Sequence, residues 1–248
     1  MSKFIDELKL VLGASSPPMG FRTAAAAPPK PRMLLVATLA EPNIEGLADY
    51  MGGADAGLVP IPKLSSGAKT INKISRAMPD IPWGGWLKDV KGERVKPLVE
   101  AGADFVVFPW DTPLAMLQDS KIGKILEVGT TLDEGLLKTI DDLPVDAVLT
   151  SGEAEKASLL TWRHLMLSRR CAELVNKPLL ASVPAGIGSN ELQALWAAGV
   201  AVVVVETPPQ KRISELRQII DKLTFSPPSK RKKAEPLLPR IAEEPEEE

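Results

Sequence analysis

One pattern governs the middle of this chain: short runs rich in Val, Leu and Ile alternate with longer stretches of helical periodicity. The runs are Met33–Thr38, Ala56–Ile61, Trp83–Leu87, Phe105–Phe108, Lys124–Val128, Ala147–Leu149, Leu179–Val183 and Ala201–Val205. Short apolar runs separated by helical segments read as strands of a parallel sheet. Several are apolar on both faces, as strands covered on both sides must be. Eight is the number that closes a parallel barrel. An open doubly wound sheet would use the same alternation and the same handedness. The strand count, the regular spacing and the lack of an early Gly-x-Gly-x-x-Gly turn favour the barrel. The expected fold is therefore α/β, a (β/α)8 (TIM) barrel.

The junctions agree with this reading. Gly52-Gly53-Ala54-Asp55, Ala101-Gly102-Ala103-Asp104 and Ala198-Gly199-Val200 each close a helix and open a strand, and Pro144-Val145-Asp146 plays the same part. Glycine is the natural residue just past a helix end. Thr131 with Glu134 and Asn190 with Gln193 have the spacing of a capping box. The helix after the sixth run is expected to be the longest, from about Ala154 to Val175.

Three segments are expected: 1–31 as an N-terminal helix and Pro/Ala-rich linker, 32–224 as the barrel, and 225–248 as a disordered charged tail. Phe4, Ile5, Leu8, Leu10, Val11 and Leu12 recur at roughly helical spacing up to Gly13. Such a helix should pack against the barrel and close its bottom; the alternative is a helix that binds a partner. The tail carries Lys230-Arg231-Lys232-Lys233 and then glutamates from Glu243 to Glu248 with one proline among them, too little apolar content to form a core.

Composition removes several classes. A formal net charge of −2 offers no basic footprint, so no nucleic acid is expected as a partner. No run of ~20 apolar residues is present, so no membrane span is expected. Asp6 and Glu7 stand where a signal peptide would be basic and then apolar, and Cys171 is the single cysteine. Both point to a cytoplasmic protein. The single histidine, His164, excludes multi-histidine sites; it reads as mid-helix and far from the strand ends.

Active sites of such barrels lie at the C-terminal ends of the strands. The expected catalytic set there is Glu127, Lys88, Asp111, Glu41 and Glu153. Glu127 falls inside a strand rather than after it. The outer face of a strand lies under apolar helices, so this charge belongs in the barrel mouth, with Lys88 or Lys63 as partner. A carboxylate beside a lysine is either a structural ion pair or an acid–base couple. Trp86 and Trp110 are expected near the mouth, where they would desolvate Lys88. No metal site is assigned, although carboxylates such as these are the ligands of hard cations.

The loop Val183-Pro184-Ala185-Gly186-Ile187-Gly188-Ser189-Asn190 opens a helix with exposed backbone N–H groups, a geometry that suits an anion. From Pro178 to Glu206 the chain resembles the phosphate- and flavin-mononucleotide-binding (β/α)8 barrels. The resemblance implies Gly186, Gly188 and Ser189 as cofactor-binding residues. Those families place a second glycine-rich turn after the eighth strand; here Glu206-Thr207-Pro208-Pro209 stands instead. The cofactor is left unknown. The functional expectation is a small-molecule enzyme of the lyase, isomerase or aldolase type. The alternative is an inactive barrel that serves as a binding or scaffold module, and a flavin enzyme is a subordinate third. A small-molecule ligand is the expected partner, and an oligomer is open.

Overall fold

Eight parallel strands pair in sequence order and close on themselves, the first against the last. In this computed structural model the described residues are 2–13, 32–39, 46–88, 94–118, 121–129, 132–151, 159–206, 208–209 and 211–225. The strands are β1 Leu34–Thr38, β2 Ala56–Ile61, β3 Trp83–Leu87, β4 Phe105–Pro109, β5 Gly123–Val128, β6 Ala147–Thr150, β7 Leu179–Val183 and β8 Val202–Val205. The helices are α1 Lys3–Gly13, α2 Leu47–Met51, α3 Leu64–Ala77, α4 Lys96–Glu100, α5 Leu114–Leu117, α6 Glu134–Thr139, α7 Trp162–Leu174, α8 Ser189–Ala197 and α9 Arg212–Lys222. The (β/α)8 barrel expected from the sequence is the observed fold, and each strand run lies within a residue of its observed place.

Register separates the two faces of the wall. Val36 faces Ala56, Pro60 faces Trp86, Val107 faces Ile125 and Leu149 faces Leu180 across neighbouring strands. These residues, save the half-buried Pro60, share one interior cluster with Leu34, Leu58, Phe105, Val202 and Val204. The alternate residues, such as Leu35, Ile61, Val106 and Val203, pack outward with the helices. Two apolar layers around one sheet explain why the strands lack polar alternation.

α1 stoppers the bottom of the barrel. Phe4 and Leu8 are fully buried in the interior cluster, with Ile5 and Val11 beside them. Phe4 stacks on Phe105, ring centroids 4.7 Å apart. Gly123 makes this fit: a Cβ there would lie 2.7 Å from Ile5 Cγ1. Asp104 holds the start of the helix, accepting from Ser2 Oγ at 2.7 Å, Lys3 N at 2.7 Å and Phe4 N at 2.9 Å. A carboxylate on the free N–H groups of a first turn also meets the positive end of the helix dipole.

The other junction aspartates do related work on the same face. Asp55 accepts from Leu35 N at 2.7 Å and pairs with Arg32 and Arg217. Asp146 accepts from Lys124 N at 2.9 Å. Gly53, Gly102 and Gly199 sit at φ of 92°, 97° and 99°, the left-handed conformation that the sequence pattern required.

Three local expectations need correction. α7 starts at Trp162, not near Ala154, because Thr161 caps it; residues 152–158 lie outside the described residues. α3, with 14 residues, is therefore longer than α7, with 13. The cap of α6 is Asp133, whose side chain accepts from Leu136 N at 2.9 Å, and α8 is capped at Gly188, two residues before Asn190. At α6 a nearer acceptor reached the free N–H groups first; at α8 the N-cap is a glycine, whose own N–H is taken by Glu191. The charged tail lies outside the described residues beyond Phe225.

Candidate active site at the barrel mouth

The C-terminal ends of the strands carry the half-buried Lys88, Glu127 and Glu206. On β5, Glu127 occupies an inward position, opposite Pro109 on β4 and Leu149 on β6. Its Oε2 accepts from Trp86 Nε1 at 2.7 Å. Trp86 is 2% exposed and belongs to the interior cluster, so this indole is a fixed donor at the floor of the mouth. Lys88, immediately past β3, holds its Nζ 4.4 Å from the centroid of the same ring. A charge-assisted hydrogen bond and a cation–π contact thus fix a carboxylate and an ammonium on one buried aromatic.

The remaining expected residues are less concentrated. Asp111 lies in an exposed turn after β4 and, among the described residues, its side chain makes no hydrogen bond or ion pair. Glu41 and Glu153 lie outside the described residues. Trp110 is 59% exposed, so of the two tryptophans only Trp86 is a buried ring, and it is the one that Lys88 Nζ contacts. The position next to the inward Pro109 sends Trp110 away from the interior.

The β7–α8 loop is largely satisfied from within. Gly188 donates its N–H to Glu191 Oε2 at 2.7 Å. Glycine has no side chain to complete a capping box, so only this half exists. Arg212, at the start of α9, donates to the carbonyls of Ala185 at 2.7 Å and Ile187 at 2.8 Å. Gly186 and Ser189 stay exposed. Glu191 therefore occupies one N–H that an incoming anion would need, and brings a negative charge with it.

Sequence reasoning missed His164. Because α7 begins late, His164 stands in its first turn, at the mouth end of the barrel, and lines a small cavity with Thr150, Ser168 and Ser182. Its Nδ1 accepts from Thr161 N at 3.0 Å. An accepting Nδ1 leaves the proton on Nε2 in the neutral ring. Burial, and then the charge of Arg163, lowers its pKa. Ser182, inward on β7, donates to the Glu206 carboxylate just past β8. The period-2 rule applied to β7 would have placed Ser182 inside; the helix start at Thr161 carried the signal for His164.

A second cavity, of about 620 Å3, lies at the opposite end between α1 and the end of α9, lined by Leu10, Val11, Arg32, Asp221 and Phe225 among others. No helix among the described residues is long and apolar enough to cross a membrane.

No protein-family model matches the chain, and no curated protein matches it. Solved structures do. The tryptophan synthase α-subunit of the hyperthermophile Pyrococcus furiosus superposes with a TM-score of 0.58 at 14% identity, covering 77% of this chain and 97% of that one. A tryptophan synthase complex from Pyrococcus furiosus gives 0.56 at 16% identity, over 76% of this chain and 93% of that one. A protein from Aquifex aeolicus VF5 gives 0.57 at 14% identity, over 90% and 98%. At these identities the likeness is one of fold: the chain is a TIM barrel similar in architecture to those proteins.

Proposed function

We propose that the chain is a small-molecule enzyme of the lyase or isomerase type, working at the mouth with Glu127 as proton carrier and Lys88 as electrostatic partner. The observation that carries this reading is the meeting of both side chains on the buried Trp86 indole. Trp86 Nε1 holds one oxygen of Glu127 and leaves the other to take a proton from a ligand. Lys88 supplies the positive charge that an enolate-like intermediate needs. The position at the strand ends fits the rule for this fold, and the likeness to tryptophan synthase α-subunits is compatible with lyase chemistry by analogy of fold. Glu41, Asp111 and Glu153 remain proposed contributors from neighbouring strand ends. Phosphate or flavin at Gly186, Gly188 and Ser189 is the weaker proposal, given the prior claim of Glu191 on Gly188 N–H.

The test is proton exchange. The purified chain is incubated in D2O with a panel of small oxo and hydroxy acids, and deuterium wash-in at carbon is followed by NMR. Exchange with at least one compound, reduced by ~10²–10⁴-fold in Glu127→Gln, supports the reading. No exchange with any compound counts against it.

A binding-module reading has one observation in its favour. Trp162 and Met166 lie one turn apart on α7 and are 81% and 71% exposed, with Leu159 just before them 68% exposed. Together they supply exposed apolar residues of the kind that mark partner-binding sites.

A further inference from the structure

Where β7, β8 and β1 adjoin, three polar residues stand on the inner side of the wall. Ser182 is 4% exposed and Thr38 3%. Ala37 pairs with Val205, so the register sets Thr38 beside Glu206. Ser182 Oγ donates to Glu206 Oε1, and Glu206 Oε2 takes no hydrogen bond from a described residue.

Thr38 is the unusual member. Its main-chain carbonyl is held by Tyr50 Oη at 3.0 Å, but its buried Oγ1 has no hydrogen-bond partner among the described residues. Arg217 Nη1 shares that condition, yet lies 3.6 Å from the Asp221 carboxylate on the far face of the barrel. The Thr38 hydroxyl has no such compensation. A buried hydroxyl without a partner destabilises a fold, and valine would fill the same space without that cost. A threonine kept there at the level of the mouth points to a partner that arrives from outside the chain.

We infer that Thr38 and Glu206 form a hydroxyl-binding subsite of the mouth, and that the ligand is a polyol or sugar-like molecule. This rests on the proposal that the mouth is the ligand-binding end. A ligand hydroxyl donates to the second oxygen of Glu206 and accepts from Thr38 Oγ1, so one group serves both. An ammonium would satisfy the carboxylate and leave the threonine proton unmet. A phosphate would face the charge of Glu206, and Pro208 and Pro209 lack the N–H groups that would offset it.

The experiment is a saturation-transfer NMR titration of the full chain with xylitol, D-ribose, 2-aminoethanol and glycerol 3-phosphate. The expected result is saturable binding of xylitol or D-ribose that exceeds binding of the other two. Thr38→Val should weaken it about tenfold, the loss of one hydrogen bond, while Thr38→Ser retains it. Thr38→Val should also raise the melting temperature by about 2–4 °C, a gain in stability opposite in sign to the loss of binding. Undiminished polyol binding in Thr38→Val overturns the inference and leaves the hydroxyl to a water only. Stronger binding of 2-aminoethanol or glycerol 3-phosphate than of both polyols overturns it as well. So does the absence of a saturable polyol signal. None of these outcomes touches the Glu127 exchange assay, which judges the mouth reading separately.

Discussion

The two ends of this barrel are built on opposite terms. At the bottom, polar groups are matched to partners: Asp104 takes three donors from the start of α1, and Asp55 and Asp146 each accept an N–H from the strand before. The apolar face of α1 fills the space between them. At the mouth, Glu127 and Glu206 are half-buried, each with one oxygen engaged, and Thr38 is buried with a hydroxyl that has no hydrogen-bond partner among the described residues. The bottom has one such atom too, Arg217 Nη1, but it lies 3.6 Å from the Asp221 carboxylate, whereas the Thr38 hydroxyl has no such compensation among the described residues. With the proposed function, the contrast separates a structural end from a functional one.

That division can be broken from the bottom first. Phe4→Ala removes a fully buried ring from the stack with Phe105 and should cost ~3–5 kcal/mol in urea unfolding. Loss of far less would mean that α1 is an adornment rather than part of the core. Next in size, Asp104→Ala leaves the first turn of α1 without its acceptor and should cost about 2 kcal/mol, with Asp104→Asn between it and wild type. Neither substitution should alter ligand binding at the mouth beyond what partial unfolding explains.

His164 sharpens the comparison from the mouth side. Its folded pKa lies below 6.5 because burial, and then Arg163, disfavour the charged ring. The unfolded chain therefore binds more protons than the folded one between that lowered value and 6.5. Stability is held above 6.5 and lost as pH falls through the folded pKa. Thermal melts at about pH 8 and about pH 5 should show this decline. His164→Gln should shrink it, since glutamine can still accept from Thr161 N. An unchanged pH slope in the variant would assign the decline to other groups. Smallest of all, Trp162→Ser should shift stability by no more than ~0.5 kcal/mol, the ring being 81% exposed. A change in its sedimentation behaviour would instead favour the binding-module reading.

The barrel itself was legible in the sequence, because eight runs with glycine junctions leave few topologies. The inward placement of Glu127 was legible too, since a charge inside a covered strand has one place to go. Its partner was not: the sequence offered Lys88 or Lys63, and the residue that joins the acid to Lys88 is Trp86, which no charge pattern marks. The aspartates of the Gly-Ala-Asp junctions were visible as strand openings, but their bonds to α1 and to neighbouring strands depend on pairings some 20 to 100 residues apart. His164 was misplaced because helical periodicity was extended upstream of Thr161, where a cap ends it. Thr38 and Ser182 looked like strand residues and nothing more. Only closure of the barrel reveals that one lacks a hydrogen-bond partner among the described residues and the other holds Glu206.

The claim that the mouth carries the chemistry stands most directly on Glu127. Glu127→Gln keeps an oxygen for Trp86 Nε1 and removes only the base, so melting temperature and deuterium wash-in can be read on the same sample. The account predicts a melting temperature close to wild type together with wash-in reduced by ~10²–10⁴-fold. Wash-in at the wild-type rate in a folded Glu127→Gln protein would contradict it.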